Sequence, residues 1–377
     1  MSNHTESLHT DLTEWEVGPF HAMLPGPMKL LLRLDGEVVV SAQAETGFLH
    51  RGLEKAFEQQ RWHAGIPYSD RLDPEAAIFG ELVFCLAVEE ICAIQVPERA
   101  QAIRVILSEL GRVSGHLAYL ARVARMVGAE TILHFLIRDR EKILDLFELL
   151  TGARFALGFL RFGGVRDDVT EGFIERVIET SELIRQRLKE YNDLLSFNQA
   201  FVKRMVGLAP LSLDRVKALG VTGPAARASG LNRDERKARP YTGYEKMDFS
   251  VPRGKSSDGT GGSAHDRFIV RLMEILQSLE ILKHATESLV PGPFKKGEVS
   301  KDFLPPRGEA YAYVEAARGL LGCHVVADGS VKPLRVQFRS PSIPNIAAIP
   351  EVLSGARLED VGLILASMDI SVAEADK

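Results

Sequence analysis

The stretch Gly47-Phe-Leu-His-Arg-Gly-Leu-Glu-Lys55 follows a predicted β-hairpin and opens a predicted helix. The hairpin is predicted from two β-rich runs, Met28–Leu34 and Glu37–Gln43, which are joined by Asp35-Gly36. Asp-Gly is a strong hairpin signal because both positions tolerate the positive φ of a tight turn. The chain therefore changes from strand to helix across this stretch.

Apolar residues at helical spacing dominate the sequence after this stretch. Because each predicted helix carries a wide apolar face, the helices need one another for burial and form a bundle. The predicted helices are Pro74–Ile94, Glu98–Val127, Asp139–Leu150, Thr170–Phe197 and Ala264–Leu289. β-rich runs return at Ala310–Val314, Cys323–Ala327 and Leu334–Arg339. The predicted fold class is α+β, with a central helical bundle, an N-terminal β-hairpin and a C-terminal β-rich segment.

The changes in composition predict three regions. Residues 1–53 form the N-terminal β-hairpin region, and residues 54–290 form the helical bundle. The bundle contains an irregular insertion at 198–263, which ends in the flexible Gly- and Ser-rich loop Lys255–Ser263. Residues 291–377 form the β-rich segment, whose strands are expected to pack on the N-terminal region.

Composition excludes several classes of function. The chain has 377 residues and a net charge of −5, and its basic residues alternate with acidic ones, which argues against a nucleic-acid partner. No apolar run reaches the roughly 18 residues that span a bilayer, and Met1–Leu12 lacks an apolar signal core. The three cysteines, Cys85, Cys92 and Cys323, form no C-x-x-C pair and fit a reducing compartment. These features predict a cytoplasmic protein that is not itself transmembrane.

The residues alone indicate no catalytic constellation. The sequence has no G-x-G-x-x-G after a strand, no P-loop, no G-x-S-x-G and no H-E-x-x-H. Asp266, Arg267 and Arg271 open the last predicted helix, where Asp266 suits the positive N-terminal end. Arg51 and Glu54 would share a helix face. Ordinary capping and surface pairing explain both groups equally well.

Ordered sequence blocks along nearly the whole chain resemble the 49 kDa subunit family of respiratory complex I, the NADH–quinone oxidoreductase. They include the opening stretch, Gly18-Pro19-Phe20-His21, Pro67-Tyr-Ser-Asp-Arg-Leu-Asp73, Arg161-Phe-Gly-Gly-Val165, Pro240-Tyr-Thr-Gly-Tyr-Glu245 and Ala366-Ser-Met-Asp369. The resemblance implies a subunit on the cytoplasmic side of the plasma (inner) membrane, with other peripheral-arm and membrane-arm subunits as partners. It also implies an iron–sulfur subunit that holds the terminal cluster, and a cavity at their interface where quinone is reduced. No cofactor is expected in this chain alone.

The same family is related to the large subunits of nickel–iron hydrogenases, which hold their metals through two C-x-x-C pairs. The corresponding positions here are Asp73, Ala76, Ser371 and Glu374. Because none of them is a cysteine, the resemblance predicts that this chain binds no nickel.

The family's quinone residues are replaced in this chain. The histidine that bonds the quinone head group falls on Pro25, and the head-group tyrosine falls on Pro74. The aspartate paired with that histidine falls on Met126, and the histidine near the terminal cluster falls on Ala156. The first histidine of the hairpin loop is kept as His21. The resemblance assigns these five positions to the lining of the quinone cavity.

These replacements remove the usual proton donors. Quinone reduction takes two electrons and two protons, which a histidine with a pKa of about 6.5 and a phenol with a pKa of about 10 can supply in place. Proline has no side-chain donor, and methionine is at most a weak acceptor. Arg51 remains, and the resemblance places its positive charge beside the terminal cluster, where it favours the reduced state.

Two hypotheses follow. In the first, the chain is the 49 kDa-type subunit of an NADH–quinone oxidoreductase with altered proton delivery. In the second, it is a diverged structural subunit of a related complex whose acceptor is not ubiquinone-like. The shared sequence blocks fit both hypotheses, and the four replacements favour the second. We take the first as the predicted function and keep the second as the alternative.

Overall fold

The computed structural model describes residues 12–196, 198–254, 261–297 and 303–377. Most of Met1–Leu12 and most of the predicted loop Lys255–Ser263 lie outside the described residues. Within these ranges no helix combines the length and the apolar composition that are needed to cross a bilayer.

The N-terminal sheet contains the predicted hairpin and one additional strand. Its strands are β1 (Thr13–Val17), β2 (Lys29–Asp35) and β3 (Val38–Glu45), antiparallel in the order β1-β2-β3. Gly36 takes a φ of 59° in the tight turn between β2 and β3, a conformation that glycine adopts without strain. The sequence pattern does not reveal β1 because only Val17 of its five residues is buried, so hydrogen bonding to β2 defines it more than an apolar pattern does.

The first half of the bundle contains the predicted helices together with α2, which the sequence did not predict. Its helices are α1 (Leu53–Gln59), α2 (Trp62–Ser69), α3 (Ile78–Ile91), α4 (Glu98–Met126), α5 (Glu130–Thr151) and α6 (Phe173–Tyr191), which continues as a π-helical turn, Asn192–Ser196. The two-residue strands β4 (Leu160–Arg161) and β5 (Gly164–Val165) separate α5 from α6. α5 begins at Glu130, earlier than the predicted Asp139. The sequence pattern misses its first two turns because Phe135 and Ile137 are exposed there and break the apolar periodicity.

Within its described residues, 198–254 and 261–263, the insertion that was expected to be irregular contains four short α-helices. They are α7 (Gln199–Met205), α8 (Leu213–Leu219), α9 (Gly223–Ala228) and α10 (Glu235–Ala238). The side chains of Asn198, Ser212 and Asp234 accept hydrogen bonds from backbone N–H groups at the starts of α7, α8 and α10. These caps stabilise helices too short to show a periodic apolar face. The long helix α11 (Ala264–Glu287) follows, and Asp266 completes its N-terminal capping box with Ser263.

The C-terminal segment contains both strands and helices. It comprises β6 (Gly308–Ala316), β7 (Gly319–Ala327), β8 (Arg335–Arg339), α12 (Ser342–Ala347), α13 (Ile349–Leu353), α14 (Val361–Met368) and α15 (Val372–Ala375). The sheet β6-β7-β8 packs on α3, whereas β3 of the N-terminal sheet packs on α13. The part of the segment that meets the N-terminal sheet is therefore helical, and the expected packing of its strands on the hairpin is not what the structure shows.

Two apolar cores meet at α14. The larger core joins α3, α4, α5, α6 and α11 to the C-terminal sheet and includes Leu363. The smaller core joins the N-terminal sheet to α13 and α14 and includes Ile364, Met368 and Val372. Neighbouring residues of α14 therefore enter different cores, and Ile370 and Val372, which follow α14, enter the smaller one.

Candidate functional site

Residues 369–376, named here the C-terminal segment end, contact both the loop between β1 and β2 and the stretch 47–55. Gly26 packs on Val372, and a Cβ at position 26 would lie 3.1 Å from Val372 Cγ2. The backbone N–H of Leu49 donates to Asp376 Oδ2 at 2.9 Å, and a ring nitrogen of His50 lies 3.0 Å from the Asp376 carbonyl oxygen. The loop between β1 and β2 and the stretch 47–55 are thus fixed to the same short segment.

The Arg51 side chain is held by backbone carbonyl groups. Its Nη1 donates to the carbonyl oxygens of Leu49 and Ala373 at 3.3 and 3.2 Å, and its Nη2 donates to the carbonyl oxygen of Arg71 at 2.5 Å. The guanidinium is exposed and lies just before α1. Carbonyl groups orient the guanidinium and the Asp376 carboxylate is near enough to act on it, so Arg51 holds its positive charge in a fixed position.

The β1–β2 loop, which holds the predicted positions His21 and Pro25, and Met126 of α4 meet on one face of α14 at Gly362. The side chains of Met23 and Met126 both contact Gly362, where a Cβ would lie 2.8 Å from Met23 Cγ and 3.4 Å from Met126 Sδ. Met23 belongs to the same loop as His21 and Pro25, and His21 Nδ1 accepts from the Met23 N–H at 3.2 Å. His21 is exposed and Pro25 is partly buried. The structure therefore brings the Pro25 loop and Met126 together, with methionine sulfur where the resemblance predicts a carboxylate.

The other two positions lie around a separate small recess. Pro74, Phe155 and Arg140 line this recess, and the Arg140 guanidinium stacks over the Phe155 ring at 5.6 Å. Ala156 follows Phe155 with a φ of 54°, which is uncommon for a residue with a Cβ. Pro74 is exposed between Asp73 and Glu75, both of which belong to a charged cluster.

A cluster of buried and partly buried charges includes both residues that flank Pro74 and is named here the C-terminal charge cluster. It consists of Asp73, Glu75, Asp369 and Glu374 with Arg122, Arg271 and Arg318. Arg318, in the turn between β6 and β7, donates to Asp73 and Glu75 and lies 3.5 Å from Asp369. Arg122 of α4 bonds Glu75 at 2.7 Å and also donates to Asp369, and Arg271 of α11 lies 3.4 Å from Asp369. Three arginines from three elements thus surround three carboxylates.

The pKa values follow from this arrangement. Burial alone would raise the pKa of Asp369, but Arg318, Arg122 and Arg271 outweigh it and lower the value. Burial and the neighbouring Asp73 raise the pKa of Glu374 to about 7, although Arg318 opposes them. Glu374 Oε1 accepts from the Ser342 N–H at 3.0 Å and from the Ser342 hydroxyl at 2.5 Å. Glu374 is therefore the carboxyl of the cluster that is held by serine rather than by an arginine.

The hydrogenase-related positions do not fit a nickel centre. Asp73 accepts from Arg318, Glu374 accepts from Ser342, and the Ser371 N–H donates to the Ser342 hydroxyl at 2.9 Å. Ala76 offers no donor atom, and the four positions together offer no thiolate. In the described ranges no three His, Cys, Asp or Glu residues are placed to hold a metal ion. An arginine–carboxylate cluster lies where the hydrogenase relationship would put the metal.

A second buried cluster, the central charge cluster, lies deeper in the bundle. It consists of Glu109, Asp234, Glu274 and Glu315 with Arg112, Arg227 and Arg236. Arg227 donates to Glu274 and Glu315, each at 2.7 Å, and Arg236 donates to Asp234 at 2.7 Å. His116 Nε2 lies 3.0 Å from Glu274, and burial lowers the pKa of His116, so the neutral ring donates this hydrogen bond. The cluster joins α4, α9, α10, α11 and β6.

Sequence reasoning missed most of both clusters. Arg318 is in the sequence block Glu315-Ala-Ala-Arg-Gly319, where a charged residue interrupts an apolar run between two predicted strands. That interruption is the available signal, but Arg318 and Asp73 are 245 residues apart. The sequence indicates Arg271 only as part of a helix start, whereas its structural partner is Asp369. Asp266 contributes only to capping.

Comparison with known proteins gives consistent matches. The sequence matches the family described as respiratory-chain NADH dehydrogenase, 49 Kd subunit, over residues 126–301 and 294–377. It is 41% identical to an NADH-quinone oxidoreductase subunit of Desulforamulus reducens over 360 residues, which cover 96% of this chain and 97% of that protein. It is 42% identical to the subunit of the same name from Carboxydothermus hydrogenoformans over 369 residues, with 98% and 100% covered.

A solved structure matches the fold over its full length. A chain of the membrane-bound sulfane sulfur reductase, an archaeal respiratory membrane complex, superposes with a TM-score of 0.93 at 35% identity. The match covers 98% of this chain and 100% of that chain.

Proposed function

The chain belongs to the family of the 49 kDa subunit of respiratory-chain NADH dehydrogenase, and we propose that it works as that subunit in a complex I-type oxidoreductase. The family and the α+β fold class are as the sequence predicted. The proposed partner is an iron–sulfur subunit, with further peripheral-arm and membrane-arm subunits on the cytoplasmic side of the membrane. The observation that carries the proposal is that the loop 18–28 and the stretch 47–55 both contact the same short segment, residues 369–376.

Exposed aromatic side chains beside this site support a partner surface. Phe20 is 81% exposed in the β1–β2 loop, and Phe48 is 43% exposed in the 47–55 stretch. Both loops are fixed to the segment 369–376 by the contacts of Gly26, Leu49 and His50. Large apolar side chains held in water on ordered loops favour association with another protein surface. We infer that the iron–sulfur partner covers them.

We propose that Arg51 lies beside the terminal iron–sulfur cluster of the partner subunit. Its guanidinium is exposed, oriented by three carbonyl groups and always protonated. A positive charge fixed near a cluster stabilises the reduced cluster, which carries one more electron. The partner's iron–sulfur cluster supplies the electrons in this proposal, and this chain supplies a positive potential and a cavity wall.

The cavity wall that we propose lacks the proton donors of the family. His21, Pro25 and Met126 would line its loop side, and Pro74 and Ala156 would line the side near the Arg140 recess. None of the four replacements carries a hydroxyl, an imidazole or a carboxyl group. Protons for a reduced acceptor must therefore come from water or from another group of the chain.

The proposal is tested by purifying the assembled complex through a tag on this chain. We expect an iron–sulfur subunit to co-purify, and Arg51→Met to lower the midpoint potential of the terminal cluster in a redox titration. Arg33→Met is the matched control, because Arg33 is exposed on β2 and pairs with Glu14 away from the site. A chain that purifies as a stable monomer, or equal midpoint potentials in both variants, would contradict the proposal.

A second candidate is a subunit of a related complex whose acceptor is not a quinone. The loss of four quinone residues favours it, and a respiratory complex that reduces sulfane sulfur contains a chain of the same fold at 35% identity. Offering a quinone and a polysulfide to the same purified complex separates the two candidates. Quinone reduction at a rate comparable with that of other family members would exclude the second candidate, and polysulfide reduction alone would establish it.

A further inference from the structure

The C-terminal charge cluster contains one carboxyl group more than it has arginines. Arg122, Arg271 and Arg318 carry three positive charges, and they contact Asp73, Glu75 and Asp369 directly. The fourth carboxyl, Glu374, is 2% exposed and receives its hydrogen bonds from Ser342. A buried negative charge that no arginine contacts directly is costly. The geometry therefore favours a proton on Glu374.

Glu374 is connected through its neighbours to two of the positions where the family's proton donors are missing. It is two residues beyond Val372, whose side chain packs on Gly26 beside Pro25. On its other side it faces Asp73, which directly precedes Pro74. The groups that act on Glu374 come from three parts of the chain. They are Asp73 before α3, Arg318 between β6 and β7, and the uncharged Ser340 and Ser342 at the start of α12.

We propose that Glu374 stores the proton of this site and releases it to an acceptor that is reduced beside Pro25 and Pro74. This proposal rests on the proposed function. Two electrons arrive from the partner's iron–sulfur cluster and reduce the acceptor, which takes up two protons. The O–H bond of Glu374 breaks, its electron pair stays on the carboxylate and its proton passes to the acceptor. Solvent supplies the second proton and later reprotonates Glu374.

The buried environment supports reversible release at physiological pH. Burial and Asp73 raise the pKa of Glu374 to about 7, so the group is close to half protonated there. A general acid works best when its pKa lies near the working pH. Ser342 can stabilise the carboxylate after release, because its hydroxyl and its backbone N–H both donate to Oε1.

The direct test is an infrared pH titration of the purified complex, followed through the carbonyl stretch of protonated carboxyl groups. We expect a band that titrates with a midpoint near pH 7 and is missing from Glu374→Gln. Glu359→Gln is the matched control, because Glu359 is exposed and pairs with Arg357 at the surface. The same titrating band in Glu374→Gln would overturn the proposal.

Two further variants should move the midpoint in opposite directions. Asp73→Asn removes a negative neighbour and should lower the midpoint of Glu374, whereas Ser342→Ala removes a donor to the carboxylate and should raise it. These variants keep Glu374 and serve if Glu374→Gln does not assemble. Shifts in the same direction, or no shift in either, would show that another group gives the band.

The role in turnover needs a separate measurement. Glu374→Gln should slow acceptor reduction about tenfold or more and remove the fall in rate above pH 7, with the iron–sulfur signal unchanged. An unchanged pH profile would overturn the role of Glu374 in turnover even if the infrared band were lost. If the wild-type complex reduces no acceptor, the proposed function fails, but the infrared titration still decides whether Glu374 holds the proton.

Discussion

The two charge clusters have equal numbers of carboxyl groups and of arginines but differ in how one carboxyl is held. Each cluster contains four carboxyl groups and three arginines. In the central cluster every carboxyl accepts a hydrogen bond from an arginine, and Arg227 serves both Glu274 and Glu315. In the C-terminal cluster Glu374 is held by Ser342 instead. We infer that the first arrangement holds helices together and that the second leaves one carboxyl free to exchange a proton.

This difference agrees with the positions of the clusters. The central cluster joins α4 to α11 and β6 inside the bundle, where its side chains are fully buried. The C-terminal cluster lies beside the loops that hold His21, Pro25 and Pro74, and Arg122 is 27% exposed there. Fully paired charges fit a role in the scaffold, whereas the proposed proton exchange needs a carboxyl beside the site that no arginine holds.

Breaking the central cluster should have the largest effect on stability. Arg227→Met leaves Glu274 and Glu315 without their arginine, and removing one partner of a buried pair costs up to about 5 kcal/mol. Urea unfolding of the co-purified chain measures this loss. Arg215→Met is the control, because its pair with Glu351 is exposed and should cost less than about 1 kcal/mol. Equal losses in the two variants would show that the central cluster does not stabilise the bundle.

Removing Arg318 should lower the free energy of unfolding somewhat less and should also change the protonation state of Asp73. Arg318→Met leaves Asp73 without its arginine, but Glu75 and Asp369 keep Arg122, so we expect a loss of about 4 kcal/mol. Asp73 should then take up a proton, and the loss should shrink at low pH. Measuring unfolding at two pH values tests this. A loss that does not depend on pH would contradict the assigned pairing.

The pH dependence of stability should separate the two clusters further. A carboxyl whose pKa is raised in the folded state binds its proton more tightly than in the unfolded chain, so its contribution falls as pH rises. For Glu374 this fall lies between its ordinary value of 4.5 and about 7, and it amounts to at most about 3 kcal/mol. Glu374→Gln should therefore be less sensitive to pH across this window than the wild type. For Asp369, whose pKa is lowered, stability should instead be lost as pH falls below its ordinary value.

Apolar spacing and turn residues predicted the elements that depend on residues near one another in the chain. The helices α3, α4, α6 and α11 follow their apolar periodicity, and the hairpin follows from Asp35-Gly36. The short helices α7, α8 and α10 depend on single capping residues, and neither they nor α9 were predicted. The strand β1 depends on pairing with β2 rather than on burial, and it was also missed.

The site was predictable only where the family resemblance supplied positions. Pro25, Pro74, Met126 and Ala156 came from that resemblance, and their roles remain proposals. The charge clusters could not be predicted from spacing, because Arg318 meets Asp73 across 245 residues and Arg227 meets Glu315 across 88. Tertiary packing alone decides which charged residues are buried together.

The most direct test of the account compares Pro25→Ala with Glu374→Gln in the assembled complex, with NADH-driven quinone reduction as the measurement. Pro25 has no side-chain donor, so trimming it removes only loop rigidity, and we predict a rate within about twofold of the wild type. Glu374→Gln should slow the reaction about tenfold or more. If Pro25→Ala abolished quinone reduction while the iron–sulfur signal stayed intact, the loop would still have a chemical role and the account would be contradicted.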